Sequence, residues 1–173
     1  MTGSLRAEAA CPEIVDFGAG DRDGVYAVIL PIQQEEFGIA ITAEDQPDLQ
    51  AIPDFYQSGR GGFWVAKLDG RVVGTIGLKD IGNAEAALRK MFVAAPYRGP
   101  GFGVARKLLE KLLAEAKARG IETIFLGTTE KFLGAHRFYE KNGFAEVPKH
   151  ALPQSFPVMA VDTKFYRLDL AGA

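Results

Sequence analysis

Apolar residues recur along this chain with two different periods, and the switches between them divide it into elements. Period-two alternation, rich in β-branched and aromatic residues, predicts strands over 13–17, 63–68, 72–78, 86–93, 121–126 and 164–170. Asp69-Gly70 joins the second and third of these as a hairpin turn. Gly74 and Gly77 inside the third mark a bulge or a close backbone approach. Ile81-Gly82-Asn83 turns the chain back into the fourth.

Helical spacing takes over in four places. Ala105, Leu108, Leu109, Leu112 and Ala116 follow i, i+3, i+4, i+7 and i+11, and Gly120 ends that long amphipathic helix. The opposite face is charged, with Glu115 and Arg119 as an i,i+4 pair. A first helix runs from an Asp21 or Asp23 cap through Tyr26, Ile29, Leu30 and Gln33 to about Glu36, with Pro31 ending or kinking it. Thr42 and Asp45 form a capping box for a second helix through Leu49 and Ile52, broken at Pro53. A last helix spans 130–141 and stops at Asn142-Gly143. The crossover from 86–93 through the long helix to 121–126 makes those two strands parallel neighbours, whereas the earlier strands form an antiparallel meander. The fold class is therefore α/β, with a mixed α+β sheet and about four helices. Residues 1–12 read as a flexible tail and 13–173 as a single domain.

Composition narrows the class of function. Of 173 residues 47% are hydrophobic and 24% charged, which suits a globular core rather than a disordered chain. The net charge of −2, without a basic block, argues against a nucleic-acid partner. Cys11 is the single cysteine, so neither an intrachain disulfide nor a thiolate zinc site can be built. With only His136 and His150 beside it, no metal is expected. No apolar run resembles a signal peptide or a membrane span, so a soluble, cytoplasmic protein with no membrane partner is expected.

The chemistry concentrates between the fourth strand and the long helix, at Arg98-Gly99-Pro100-Gly101-Phe102-Gly103-Val104. Glycines let the backbone take positive φ and approach a ligand, and Pro100 stiffens the turn. The helix that follows presents unpaired N–H groups at the positive end of its dipole, an arrangement suited to phosphate or pyrophosphate. Arg98 and Arg106 bracket the turn. A P-loop is excluded because no Ser or Thr follows Lys107, and a Rossmann G-x-G-x-x-G fails because the third small residue would fall on Val104 or Arg106.

Arg98-x-x-Gly101-x-Gly103 after Met91-Phe92-Val93 resembles motif A of the GCN5-related N-acetyltransferases, the GNAT superfamily. Ala135-x-x-Phe138-Tyr139-x-x-x-Gly143-Phe144 resembles that family's motif B, with one helix and one strand between the two as in the family. The resemblance covers about the whole chain and is strongest over 88–144. It implies the acyl-CoA N-acyltransferase fold, in which the strand before motif A splays from the strand after it. It also implies acetyl-CoA as cosubstrate. The backbone of Arg98, Gly99, Pro100, Gly101, Phe102, Gly103 and Val104 would hold the pyrophosphate, and Met91, Phe92 and Val93 the pantetheine arm and thioester. Direct attack by a primary amine of a small molecule or peptide is implied, in a monomer or homodimer. Tyr139 matches the residue that protonates the departing thiolate. A phenol with an ordinary pKa of about 10 keeps its proton at neutral pH and can serve that role.

The base that deprotonates the amine is less legible. Leu88-Arg89-Lys90-Met91 contains no carboxylate where many family members carry Glu, so Glu85 is the candidate and Asp80 the runner-up. Glu35 and Glu36, at the end of the first helix, are candidates for binding a cationic amine, although Arg89 or Lys90 could equally hold an acidic acceptor. The Asn that often follows the strand after motif A is absent from Thr128-Thr129-Glu130-Lys131-Phe132. The alternative function is a non-catalytic, acyl-CoA-binding sensor module.

Overall fold

The computed structural model describes residues 11–99 and 101–170. The expected tail therefore falls outside the described residues except for Cys11 and Pro12, as does Pro100 of the glycine turn. Seven strands, β1 (Glu13–Asp16), β2 (Gly62–Leu68), β3 (Arg71–Gly82), β4 (Glu85–Val93), β5 (Thr123–Thr128), β6 (Ala145–Val147) and β7 (Lys164–Asp169), form one sheet in the order β1-β2-β3-β4-β5-β7-β6. Every neighbouring pair is antiparallel except β4–β5. The helices are α1 (Arg22–Pro31), α2 (Pro47–Gln50), α3 (Ile52–Phe55), α4 (Val104–Ala118) and α5 (Leu133–Lys141).

The sheet is buried on both faces, which explains the unbroken apolar run Phe63-Trp64-Val65-Ala66 in β2. Trp64 and Ala66 face α4 and join Val104, Leu108, Leu109 and Leu112 in one core cluster. Phe63 and Val65 face the other way and pack with Val28 and Ile29 of α1, Leu49 of α2 and Ile52 of α3. Both strand glycines are close approaches. A Cβ on Gly74 would lie 2.9 Å from Val104 Cγ1 and 3.0 Å from Leu108 Cδ1, and one on Gly77 would lie 3.0 Å from Phe63 and Tyr56.

Several boundaries differ from the sequence expectation. The single helix capped by Thr42 is instead two four-residue helices. Thr42 and Asp45 do bond reciprocally, Thr42 N to Asp45 Oδ2 at 3.0 Å and Asp45 N to Thr42 Oγ1 at 3.3 Å, but they close a free-standing turn. Pro47 and Pro53 each occupy a first-turn position, where a missing N–H is harmless, so Pro53 starts α3 rather than ending a longer helix. Beyond Pro31 the chain widens into a π-helical turn over Ile32–Glu36, with Phe37 N donating to Ile32 O at 3.1 Å. β3 extends to Gly82, and the reversal falls on Asn83 and Ala84, with φ of +55° and +60°.

Candidate active site

β4 and β5 pair at only three positions, Glu85–Thr123, Ala86–Ile124 and Ala87–Phe125. Beyond them β5 stays with β7 to Thr128, while β4 leaves it. A bulge in β4 marks the divergence. Gly77 pairs Arg89 and Thr75 pairs Phe92, so Ile76 faces two residues, Lys90 and Met91. Lys90 takes φ of +55°, and Thr75 Oγ1 donates to its carbonyl oxygen at 2.7 Å. The divergence opens a cleft of about 410 Å³ between Leu88–Val93 on one side and Gly127–Thr129 with Ala135, Phe138 and Tyr139 on the other.

The wall of the cleft on β4 is backbone. Ala94 donates its N–H to Val73 of β3 at 2.9 Å. Strand amides alternate in direction, so Val93, and Met91 two residues before it, turn theirs into the cleft. Both residues line it, as does Phe92.

The glycine turn sits at one end of this wall. Gly99 and Gly103 have φ of +106° and +64°, and Cβ atoms built on Gly99, Gly101 or Gly103 would meet nothing within 4 Å. Gly103 is the N-cap of α4 and offers no side chain, so the first amides of the helix, beginning at Val104, are left for an anion. Phe102 packs edge-on against Tyr97, with centroids 5.6 Å apart. Arg98 Nε donates to Val93 O at 2.8 Å, and its guanidinium forms a two-pronged pair with Glu36, Nη2–Oε2 at 2.8 Å. Arg98 holds the Glu36 carboxyl below its usual range. Ala105, expected on the buried stripe of the long helix, instead lines the cleft, and Val104 takes its core place.

Tyr139 lies on the facing wall, 6% exposed. Its ring packs against Phe144 and Tyr166 at centroid distances of 5.6 and 6.0 Å. Burial alone pushes its phenol well above the usual value, with no hydrogen bond from a described residue contributing. The group is a neutral, proton-bearing hydroxyl whose donor is free. His136, one turn away, is structural: its ring is buried and Nε2 lies 2.9 Å from Thr129 O.

A second set of polar side chains gathers around Arg89, Lys90 and Asp162, which line the cleft, with Gln46, Asp48 and Tyr56 behind them. Arg89 donates to Tyr56 Oη at 3.1 Å and to Pro157 O at 2.8 Å. Lys90 Nζ donates to Gln46 Oε1 at 2.6 Å. Asp48 Oδ2 accepts from Tyr56 Oη at 2.6 Å and lies 3.8 Å from both Arg89 and Lys90. Asp162 accepts from Met159 N at 2.9 Å. It is the one carboxylate among the described residues that line the cleft. Burial raises its carboxyl pKa, with Met159 N, Arg89 and Lys90 pulling the other way.

The structure thus brings Met91, Phe92, Val93, Arg98 and Tyr139 to one cleft. It does not bring Glu85 there. Glu85 sits where β4 and β5 still pair, at the closed end of the divergence, and lies six residues before Met91. Asp80 is tied at the same closed end by Arg60 N and Gly82 N. Glu35 is exposed and does not line the cleft, and Glu36 is engaged by Arg98. Gln46 and Asp162 lie in loops and Asp48 in the four-residue α2, and polar residues in loops and single helical turns carry no periodicity that would mark them in the sequence. Among the described residues there is no group of three or more His, Cys, Asp or Glu arranged to hold a metal ion, and no helix is long and apolar enough to cross a membrane.

Comparison with known proteins agrees with this geometry. The family model described as acetyltransferase (GNAT) family matches residues 26–144. A Staphylococcus aureus acetyltransferase of the GNAT family superposes with a TM-score of 0.89 at 40% identity, covering 92% of this chain and 99% of that one. A Streptococcus agalactiae acetyltransferase gives 0.87 at 30% identity, covering 92% and 98%. The N-acetylaspartate synthetase of Xenopus tropicalis is 39% identical over 104 residues, 58% of this chain and 37% of that protein. The chain spans between about a third and a half of the length of the curated relatives it matches.

Proposed function

The chain belongs to the acetyltransferase (GNAT) family, and from that premise we propose that it transfers an acetyl group from acetyl-CoA to a primary amine of a small molecule or peptide, by direct attack and with Tyr139 as general acid. The observation that carries this reading is the divergence of β4 from β5, which opens backbone amides, an uncapped helix end and an unpaired phenol onto one cleft.

Each part has a task in that reaction. The open face of Gly99, Gly101 and Gly103, with the first amides of α4, suits a pyrophosphate, because nothing near the glycines obstructs it. The inward amides of Met91 and Val93 suit an extended amide-bearing chain laid along β4, like an added strand. One of them would donate to the thioester oxygen as negative charge develops there. The amine attacks the carbonyl carbon and the C–S bond breaks. Tyr139 then supplies the proton that the thiolate takes up. Its burial keeps it neutral across the working pH range.

The test is release of free thiol from acetyl-CoA by the purified protein with a panel of amines. The panel includes aspartate, because relatives carry the name N-acetylaspartate synthetase. Turnover with at least one amine is expected. Saturable acetyl-CoA binding without turnover on any amine would favour the sensor reading and would remove Tyr139 from its role.

A further inference from the structure

Acetyl transfer as described makes no use of the charges of Arg89, Lys90 and Asp162 that line the cleft, and their arrangement is specific. The Lys90 side chain is 3% exposed. It lines the cleft because the bulge in β4 forces it into a left-handed conformation that residues with a Cβ rarely adopt. An ammonium has three donors. Here one strong bond goes to a neutral amide, Gln46 Oε1 at 2.6 Å, and a weak one to Met159 Sδ at 3.8 Å. Gln46 is itself held by Gln33 through reciprocal bonds of 2.9 and 3.0 Å. The nearest carboxylate, Asp48, is 3.8 Å away and already accepts the Tyr56 hydroxyl. Lys90 is therefore a buried, fixed cation with donor capacity left over.

Asp162 supplies the opposite charge. Oδ2 accepts from Met159 N, and no described residue donates to Oδ1. Gly127 makes room for it: a Cβ there would lie 2.7 Å from Oδ2. A cleft that keeps a spare cationic donor on β4 and a spare carboxylate acceptor on the loop before β7 fits a ligand carrying both charges.

Resting on the acetyl-transfer reading above, we propose that the acceptor is a small amine bearing a carboxylate, with its carboxylate received by Lys90 and its ammonium by Asp162, which takes the proton. The proton balance closes. Asp162 removes one proton from R–NH3+, leaving a lone pair that forms the C–N bond. As the tetrahedral adduct collapses, the C–S bond breaks and Tyr139 protonates the thiolate. The second proton leaving nitrogen restores Tyr139 through solvent, and Asp162 returns the first to water. The products are R–NH–acetyl, CoA thiol and one proton.

The experiment compares acceptors in pairs with and without the carboxylate, such as glycine against methylamine, aspartate against ethylamine and glutamate against propylamine, read by thiol release. The kcat/KM for a carboxylate-bearing acceptor is expected to exceed that for its carboxylate-free partner by about 30-fold or more, the usual scale for a buried charge pair. Lys90→Gln raises KM for that acceptor by a similar factor and leaves KM for acetyl-CoA unchanged, while Lys90→Arg recovers part of the loss. Asp162→Asn lowers kcat and removes the acidic limb of the pH–rate profile, where the wild-type rate rises as the Asp162 carboxyl ionises. The groups facing that carboxyl are Arg89 and Lys90 from β4 and Met159 N from its own loop. Equal or better turnover of amines without a carboxylate would overturn the proposal and leave acetyl transfer standing. Absence of thiol release with every amine would overturn both. The acceptor comparison uses the wild-type protein, so it decides the matter even if a variant fails to fold.

Discussion

Changing Tyr139 to Phe removes one oxygen atom and leaves the ring in place. No described residue hydrogen-bonds that oxygen, and the ring keeps its packing against Phe138, Phe144 and Tyr166. Removing an unpaired hydroxyl from an apolar wall should therefore change stability by less than about 1 kcal/mol in either direction. The rate should behave differently. Losing a general acid lowers kcat by about 10²- to 10⁴-fold, which corresponds to roughly 3–5 kcal/mol of transition-state stabilisation. The hydroxyl is not needed to hold the phosphates, so KM for acetyl-CoA should stay within a few-fold of wild type. The assay pairs thiol release at saturating substrates with a thermal melt of the same samples. A kcat within threefold of wild type would show that another group protonates the thiolate. A large fall in melting temperature would show instead that the hydroxyl holds the fold together.

Other perturbations probe separate parts of the account. Glu36→Gln frees the Arg98 guanidinium from its two-pronged partner, so acetyl-CoA should bind several-fold tighter in a titration; weaker binding would mean that Glu36 orients Arg98 productively. Gly74→Ala drives a Cβ to 2.9 Å from Val104 and 3.0 Å from Leu108, and should lower unfolding free energy by about 1–3 kcal/mol in urea through displacement of α4. Leu108→Ala, at a fully buried position of the same contact, should cost about 2–5 kcal/mol in the same measurement. Lys90 gives a pH signature. Burial lowers its pKa from 10.5 to about 8 in the folded protein. Between those values the unfolded chain binds the extra proton, so folding stability contributed by this group rises with pH across about 8 to 10.5. The stability of wild type relative to Lys90→Met should therefore increase by about 3 kcal/mol over that window, and a flat difference would show that Lys90 is not desolvated.

Much of the fold was legible because both sheet faces and the long helix are buried, and burial imposes periodicity. The stripe Leu108, Leu109, Leu112 and Ala116 sits against the sheet as its spacing requires, and the β4–α4–β5 crossover yields the parallel pair. The glycine turn and Tyr139 are legible for different reasons: Gly99 and Gly103 answer to a positive φ, whereas Tyr139 stands out only through the resemblance of its helix to the family's second motif. Less visible was anything set by a single irregular bond. The bulge that turns Lys90 into the cleft depends on a register shift opposite Ile76, and no side-chain pattern in β4 announces it. Pro31 was readable as a disturbance, but the π-helical turn after it was not, because that depends on packing of Ile32 and Gln33. Glu85 is the carboxylate nearest in sequence to Leu88–Met91, which is what makes it the candidate. Strand geometry places it about 20 Å of chain from Met91, at the closed end of the pair. Asp162 belongs to a loop that only the tertiary fold brings beside Gly127.

The central claim is that the divergent strands and the glycine turn form an acetyl-CoA site. Calorimetric titration of the purified protein with acetyl-CoA, run beside NADH and ATP, addresses it most directly. The account predicts saturable binding of acetyl-CoA at one site per chain, with neither nucleotide control matching it. A folded sample that binds no acyl-CoA would contradict the account and reduce the turn at Gly99–Gly103 to the start of a helix.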